Sequence, residues 1–129
     1  MTVKYYQDLL VWQKAMDLAV MIYELTRKLP REERFSLADQ MRRASVSIPS
    51  NIAEGQQRKT TKEFIQFLFV SKGSLAEIET QLILCMKLSY LNQEQIEPAL
   101  QLCGDIGRMI NALISRLQKL STSNDPKQA

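Results

Sequence analysis

The sequence contains no histidine, two cysteines, 4 glycines and 4 prolines among its 129 residues. Without histidine the chain has no imidazole to act as a general base, to activate a nucleophile or to complete most zinc sites. So few glycines and prolines argue against a small all-β protein, which needs many tight turns. No apolar run approaches the roughly 20 residues of a membrane-spanning helix, so we expect no membrane partner.

The two cysteines are too far apart in the sequence to form a short metal-binding or redox motif. Cys85 and Cys103 are therefore interpreted as small apolar core residues of a protein in a reducing compartment. The charged residues Lys4, Asp8 and Lys14 interrupt the beginning of the chain, which argues against a signal peptide. Together these features predict a cytoplasmic protein.

The composition, 45% hydrophobic and 24% charged residues, is typical of one globular domain. Four segments carry apolar residues at spacings of three and four, which predicts helices at about 8–28, 36–54, 60–90 and 93–120. Short connections favour an all-α fold, an antiparallel up-down-up-down four-helix bundle over residues 1–120. Residues 121–129 are polar and are predicted to form a disordered tail.

Each helix has one predicted apolar stripe. The stripe of the first helix consists of Leu9, Trp12, Met16, Ala19, Tyr23 and Thr26, widened by Leu18, Ile22 and Leu25. That of the second consists of Leu37, Met41, Ala44, Ile48 and Ile52. The third has a heptad seam of Phe64, Leu68, Ser71, Leu75, Ile78, Leu82 and Cys85. That of the fourth consists of Leu102, Ile106, Met109, Leu113, Leu117 and Leu120.

Local signals refine the helix boundaries. The sequence Thr60-x-x-Glu63 predicts a capping box at the start of the third helix, and Asn92 is a candidate cap for the fourth. Pro49 would interrupt the second helix, which either stops near Ile48 or kinks and continues to a stop at Gly55. We favour continuation, because the apolar stripe stays in phase beyond the proline.

The first half of the third helix is apolar nearly all round, whereas a bundle core needs only one stripe. This pattern predicts a subunit contact through Phe64, Phe67 and Val70. A central helix that is fully covered by its own chain would show the same pattern, so both interpretations stay open.

Residue types that support catalysis are scarce. Glu77 and Glu79 point about 200° apart around one helix, no Glu-x-x-His motif is present, and no glycine-rich phosphate loop is found. We expect no catalytic residues, no metal site, no cofactor and no enzymatic activity. A carboxylate enzyme using Glu54 or Glu77 is kept only as a residual hypothesis.

A polar stripe borders the apolar stripe of the second helix, at spacings of three and four residues. Its members are Gln40, Arg43, Ser47, Asn51 and Glu54. The stripe is either a solvated face or a hydrogen-bonded network against a neighbouring helix or subunit.

The net charge of +3 is uneven, since residues 27–72 hold ten basic and five acidic side chains. Basic residues of this region are candidate phosphate contacts, although for a monomer ordinary surface charge is the better explanation; for a ring it is not. The candidates are Arg42, Arg58, Lys59, Lys62 and Lys72. Base stacking is not predicted for these residues.

Four strings of the sequence resemble a known bacterial family. They are residues 10–15 (LVWQKA), 40–55 (QMRRASVSIPSNIAEG), 64–69 (FIQFLF) and 73–82 (GSLAEIETQL). They resemble the four-helix-bundle proteins encoded in intervening sequences of large-subunit ribosomal RNA genes. These in turn are similar to the accessory variability determinant of diversity-generating retroelements. The resemblance covers residues 5–120, with Ser36 standing where the family usually has glycine.

The resemblance implies a ring-like homopentamer without enzymatic activity, and its motif residues fall on Gln40, Arg43, Asn51 and Glu54. Relatives in retroelements bind nucleic acid and a reverse transcriptase, which would be a partner of this chain if it belonged to that branch. Two functional hypotheses follow. The chain either binds RNA or DNA through basic charge pooled among subunits, or it is a protein-interaction scaffold or accessory subunit without its own nucleic-acid binding.

Overall fold

The computed structural model describes residues 5–121. Its four α-helices are α1 (Leu10–Thr26), α2 (Leu37–Gln56), α3 (Thr61–Lys87) and α4 (Gln93–Ser121). Short 3-10 helices, Tyr6–Asp8 and Arg31–Glu33, precede α1 and α2, and no strand occurs in this part of the chain. Ser121, the first residue of the predicted tail, is the last residue of α4, and residues 122–129 lie outside the described range.

The helices pack in the order of the chain. Each helix lies beside the next and α4 also lies beside α1, whereas within residues 5–121 no Cα atoms of the diagonal pairs α1–α3 and α2–α4 come within 8 Å of each other. The four helices therefore enclose one hydrophobic core. This arrangement confirms the prediction of an all-α four-helix bundle.

Hydrogen bonds at the predicted caps fix where α3 and α4 begin. The hydroxyl of Thr60 accepts the backbone N–H of Glu63 at 3.1 Å and donates to the Glu63 carboxylate at 3.0 Å. Asn92 and Gln95 form a reciprocal box, in which each side-chain oxygen accepts the other residue's backbone N–H at 2.8 Å. These bonds satisfy amide groups that have no partner inside a helix.

Helix α2 continues through Pro49 to Gln56, as the in-phase apolar stripe predicts. Proline removes the amide that would bond the carbonyl of Ser45. Side chains bond the backbone around this point: the Ser45 hydroxyl donates to the carbonyl of Arg42 at 2.8 Å, and the Ser71 hydroxyl of α3 donates to that of Ile48 at 2.9 Å. A hydrogen bond between helices thus accompanies the interruption in α2.

The stripes predicted for the two central helices form the core. All seven residues of the α3 seam are buried, as are the four α2 residues from Met41 to Ile52 on the predicted stripe. Leu37, the first α2 residue predicted for the core, is only partly buried. The seam prediction for α3 is confirmed.

The stripes predicted for α1 and α4 are correct in part. Among their predicted members, the buried ones are Leu18, Ala19, Ile22, Leu25 and Thr26 of α1 and Ile106 and Leu117 of α4, whereas the others are exposed or only partly buried. Met16 and Tyr23 are 41% and 38% exposed, and Leu102 and Met109 pack only at the edge of the core. The buried α1 residues are Val11, Ala15, Leu18, Ala19, Ile22, Leu25 and Thr26. The buried α4 residues are Ile96, Ala99, Cys103, Ile106, Ile110, Ile114 and Leu117.

Both cysteines are buried and free. Burial raises the pKa of the Cys85 thiol to about 11 and that of Cys103 to about 12, so both thiols are protonated at neutral pH. Their interpretation as core residues is confirmed. No helix among residues 5–121 has the length and apolar character needed to cross a bilayer.

Gly55 does not stop α2 in the way we expected. No glycine among the described residues has a positive φ, and α2 continues past Gly55 to Gln56. A Cβ at position 55 would lie 2.7 Å from Cβ of Phe67 and 2.9 Å from Cδ1 of Phe64. Gly55 is therefore required by the close approach of α3.

Gly55→Ala is expected to lower the free energy of unfolding by about 1–3 kcal/mol, because the added methyl group overpacks this contact. The matched control is Gly73→Ala on exposed α3 surface, where no atom lies within 4 Å of the new Cβ. That change is expected to stabilise the protein by about 0.5–1 kcal/mol. Urea unfolding measures both values, and stabilisation of similar size in both variants would contradict the close packing at Gly55.

Candidate nucleic-acid interface

The structure separates the five predicted phosphate-binding residues. Arg42 lies on α2 beside the end of α1, where its Nε donates to the Thr26 hydroxyl at 2.9 Å. Arg58, Lys59 and Lys62 lie at the connection from α2 to α3, beyond the last residue of α2, which is about 21 Å from Arg42 at 1.5 Å per residue. Lys72 borders a cleft between α3 and α4. These residues do not form one patch.

A different group of basic side chains surrounds Arg42. A cavity of about 550 Å³ lies where α1, the 3-10 helix Arg31–Glu33 and α2 meet. Its lining residues are Thr26, Arg27, Leu29, Pro30, Arg31, Arg34, Ala38 and Arg42. Four of these eight residues are arginines and none is acidic, and we call this cavity the arginine groove.

The four guanidinium groups of the arginine groove are not neutralised by ion pairs. Over residues 5–121 the salt bridges join Arg43 to Asp39, Arg58 to Glu54 and Arg108 to Asp105, and none involves a groove arginine. Three other clefts on the bundle are each lined by at least one carboxylate. The groove therefore differs from them in offering several donors of one charge, which suits a phosphate or another anion.

Glu33 positions the 3-10 helix that begins with Arg31 and is followed directly by Arg34. One carboxylate oxygen accepts the Ser36 hydroxyl at 2.7 Å and the backbone N–H of Leu37 at 3.4 Å. The other accepts the hydroxyl of Tyr90, after α3, at 2.8 Å. The bond from Ser36, followed by that from Tyr90, holds the pKa of Glu33 below its ordinary value. Glu33 is not among the lining residues of the groove. Its bonds tie the segment that carries Arg31 and Arg34 to the start of α2 and to Tyr90.

Aromatic rings lie close to the cationic groups of three predicted phosphate-binding residues. The guanidinium carbon of Arg42 is 5.0 Å from the ring centroid of Tyr23, and that of Arg58 is 4.7 Å from Phe67. Nζ of Lys72 lies 5.6 Å from the ring of Phe69. Two of the three rings, Tyr23 and Phe67, belong to a different helix from their cation, so the spacing of the sequence does not reveal these contacts.

The centre of the polar stripe bonds to a neighbouring helix, and its ends face solvent. Ser47 accepts the hydroxyl of Ser74 on α3 at 2.9 Å, and the side-chain amide of Asn51 donates to the carbonyl of Ser47 at 2.8 Å. Arg43 and Glu54 instead form exposed ion pairs along α2 and its end. Gln40 is exposed. Each of our two interpretations of the stripe describes part of it.

The predicted subunit-contact residues differ in exposure. Phe64 is buried in the core of its own chain, Phe67 packs partly on Gly55, and Val70 is 51% exposed. Phe69, next to Val70, is 49% exposed and lies opposite the buried seam of α3. The outward apolar surface of this segment is therefore formed by Phe69 and Val70.

No three acidic or cysteine side chains within residues 5–121 converge as a metal site would require. Comparison with known families gives a match over residues 7–112 to the family described as 23S rRNA-intervening sequence protein. The chain belongs to this family. The matched range includes α1, α2, α3, most of α4 and every residue of the arginine groove.

A solved structure has the same fold as this chain. It is a protein of unknown function from the S23 ribosomal protein family of Bacteroides thetaiotaomicron. The two chains superpose with a TM-score of 0.76 and are 28% identical, over 81% of this chain and 98% of the other. The search of curated proteins found no match.

Three groove arginines were missed by our sequence analysis. Arg27, Arg31 and Arg34 are spaced by four and three residues, the spacing of side chains on one helical face. Pro30 lies among them and ends the first helix, so the spacing was not considered across it. A search for basic residues at this spacing that ignored predicted boundaries would have found the group.

Glu33→Gln is expected to lower the free energy of unfolding at pH 7. Because hydrogen bonds depress the pKa of Glu33 in the folded state, its contribution is present above the ordinary carboxyl pKa and is lost as the pH falls through the folded value. The difference from the wild type should therefore shrink in acid. Urea unfolding at neutral and acidic pH measures it.

Glu32→Gln is the matched control, since Glu32 belongs to the same 3-10 helix and none of the hydrogen bonds described within residues 5–121 involves its carboxylate. It should change stability little at either pH. A Glu33→Gln difference that is equally large in acid would show that the carboxylate charge does not hold this helix.

Proposed function

We propose that this member of the family is a non-enzymatic, homo-oligomeric bundle that binds nucleic acid, RNA or DNA, through phosphate contacts. The arginine groove carries this proposal, because four guanidinium groups without ion-pair partners in residues 5–121 line one cavity. Arginine binds phosphate oxygens with two parallel hydrogen bonds, which makes it the preferred residue for this contact. Arg58, Lys59, Lys62 and Lys72 are proposed as additional contacts for a longer strand.

The proposed bundle is antiparallel, with helices alternating up and down. Hydrogen bonds between α2 and α3 support this, since the earlier Ser47 and Ile48 of α2 bond Ser74 and Ser71, while the later Gly55 contacts Phe64. Residues later in α2 thus contact residues earlier in α3, as in an antiparallel pair. Short connections of four to ten residues between helices favour the same arrangement throughout.

Replacing the two groove arginines at the start and directly after the end of the 3-10 helix tests whether the groove binds nucleic acid. Arg31→Gln combined with Arg34→Gln should weaken binding to a structured RNA and to duplex DNA. Each lost phosphate contact should reduce the slope of log affinity against log salt by about 1. Fluorescence anisotropy titrations at several salt concentrations measure both quantities.

The matched control is Arg108→Gln combined with Arg116→Gln on α4, which removes the same charge away from the groove. It should leave the salt slope nearly unchanged. A third variant, Arg58→Gln with Lys59→Gln and Lys62→Gln, tests the other end of α2. If the groove variant and the α4 control lose equal affinity, only net charge matters and the groove is not the interface.

A pentameric ring is the proposed assembly, and the exposed apolar face of α3 supports a subunit contact. Phe69, Val70, Ile83, Leu84 and Leu88 are each at least 40% exposed. Side chains of this size gain roughly 1.5–3 kcal/mol each when fully buried. A second copy of the chain is the proposed occupant of this face.

Light scattering after size exclusion should give a mass of about five times 14.9 kDa at low and high salt. Phe69→Glu should reduce the mass toward that of one chain, because it places a charge in the apolar contact. Gln66→Glu on exposed α3 surface is the control. A wild-type mass of 14.9 kDa would contradict the ring.

The same apolar face favours a second candidate function, that of a protein-interaction scaffold or accessory subunit. In that case the face would bind a different protein and the groove variant would leave nucleic-acid affinity at the level of any weakly basic protein. The scaffold is supported over the nucleic-acid binder if the wild type still captures a partner protein after nuclease treatment and Phe69→Glu does not.

A further inference from the structure

One aromatic ring beside the arginine groove is almost fully exposed to solvent. Phe35 follows the 3-10 helix Arg31–Glu33 and is 86% exposed, the highest value among the large hydrophobic residues described. A phenylalanine in the interior of this bundle would be buried, as Phe64 is at 4%. Exposing a ring of this size is unfavourable in water, so its position needs an explanation.

Helix capping does not explain Phe35. Ser36 is the residue before α2, so Phe35 occupies the position from which a hydrophobic staple packs on the fourth residue of the helix. That fourth residue is Gln40, which is polar and exposed. Phe35 therefore gains no apolar partner at the start of α2.

The ring is next to a groove arginine. The guanidinium carbon of Arg34 lies 5.5 Å from the ring centroid of Phe35, and Arg34 itself lines the arginine groove. An aromatic face and several cations are therefore presented side by side. Proteins that bind single strands use this combination, with cations along the backbone and aromatic rings under the bases.

We propose that Phe35 is a stacking platform for an unpaired base whose neighbouring phosphate lies in the arginine groove. The ligand is then a single-stranded segment, or a loop or bulge, rather than a continuous duplex. A base in a duplex is stacked on its neighbours and cannot reach the ring, whereas an unpaired base exposes its π face. This inference rests on the proposed nucleic-acid function and specifies the form of its ligand.

The geometry also assigns separate tasks to the two groups. The guanidinium groups contact phosphates and supply attraction that is independent of sequence and weakened by salt. Phe35 contributes stacking, which depends on an accessible base and little on salt. Glu33, through its bonds to Ser36 and Tyr90, holds the segment that carries both Arg34 and Phe35.

Binding of a single-stranded oligouridylate and of a duplex RNA of the same length tests the proposal. Phe35→Leu keeps an apolar side chain but removes the π face, and it should weaken single-strand binding at least about fivefold while changing duplex binding less than about twofold. Phe35→Trp retains a stacking surface and should bind the single strand at least as well as the wild type. Fluorescence anisotropy titrations at one salt concentration measure the affinity of the wild type and of both variants for each RNA.

The outcomes separate this inference from the proposed function. If Phe35→Leu leaves single-strand binding unchanged, or weakens single-strand and duplex binding equally, the stacking role is wrong. The groove proposal then still stands if Arg31→Gln with Arg34→Gln lowers both affinities. If the wild type binds neither RNA, the proposed function itself fails.

A mass measurement completes the test. Phe35→Leu should have the same mass in solution as the wild type, and its urea unfolding should be nearly unchanged, because the ring makes little contact with its own chain. A lower mass would show that Phe35 lies in a contact with a second copy and would overturn its assignment to a base.

Discussion

Burial of one seam of α3 is the constraint on which the rest of this bundle depends. Its seven residues, from Phe64 to Cys85, are all less than a tenth exposed, and α2 and α4 supply the cover because α3 contacts both. With both flanks used, the opposite face of α3 points away from its own chain. The same packing needs Gly55, since α3 approaches α2 there too closely for any side chain.

The predictability of each helix follows from how narrow its apolar stripe is. Helix α2 is polar on average, so its few apolar residues leave one choice of core face, and that choice agrees with the structure even across Pro49. Helix α1 has apolar residues over much of its circumference. Two adjacent stripes, about 100° apart, then fit the same spacing rule, and only contact with α2 and α4 decides that Ala15 rather than Met16 is buried.

The candidate site was less predictable because its parts come together only in the folded chain. The arginine groove combines Arg27 just after α1, Arg31 and Arg34 in and directly after a 3-10 helix, and Arg42 of α2. A regular spacing relates the first three, but no such spacing adds Arg42 to them. The rings under Arg42 and Arg58 were missed for the same reason, since each pair joins different helices. Lys72 and Phe69 are an exception, because their separation of three residues on α3 places them on neighbouring turns.

The groove also changes how charge supports the proposed function. The net charge of +3 is small, and we first expected several subunits to pool it. At physiological salt, however, charges are screened beyond about 8 Å, so a phosphate responds to the guanidinium groups nearest to it rather than to the whole chain. Four arginines around one cavity provide that local charge within a single subunit. Beyond this range lie Arg58, Lys59 and Lys62, which follow the far end of α2, about 21 Å from Arg42. They would act on a second part of a longer strand. Assembly of several copies would then add separate binding sites along one nucleic acid and raise the affinity through effective concentration, without any site depending on its neighbours for charge.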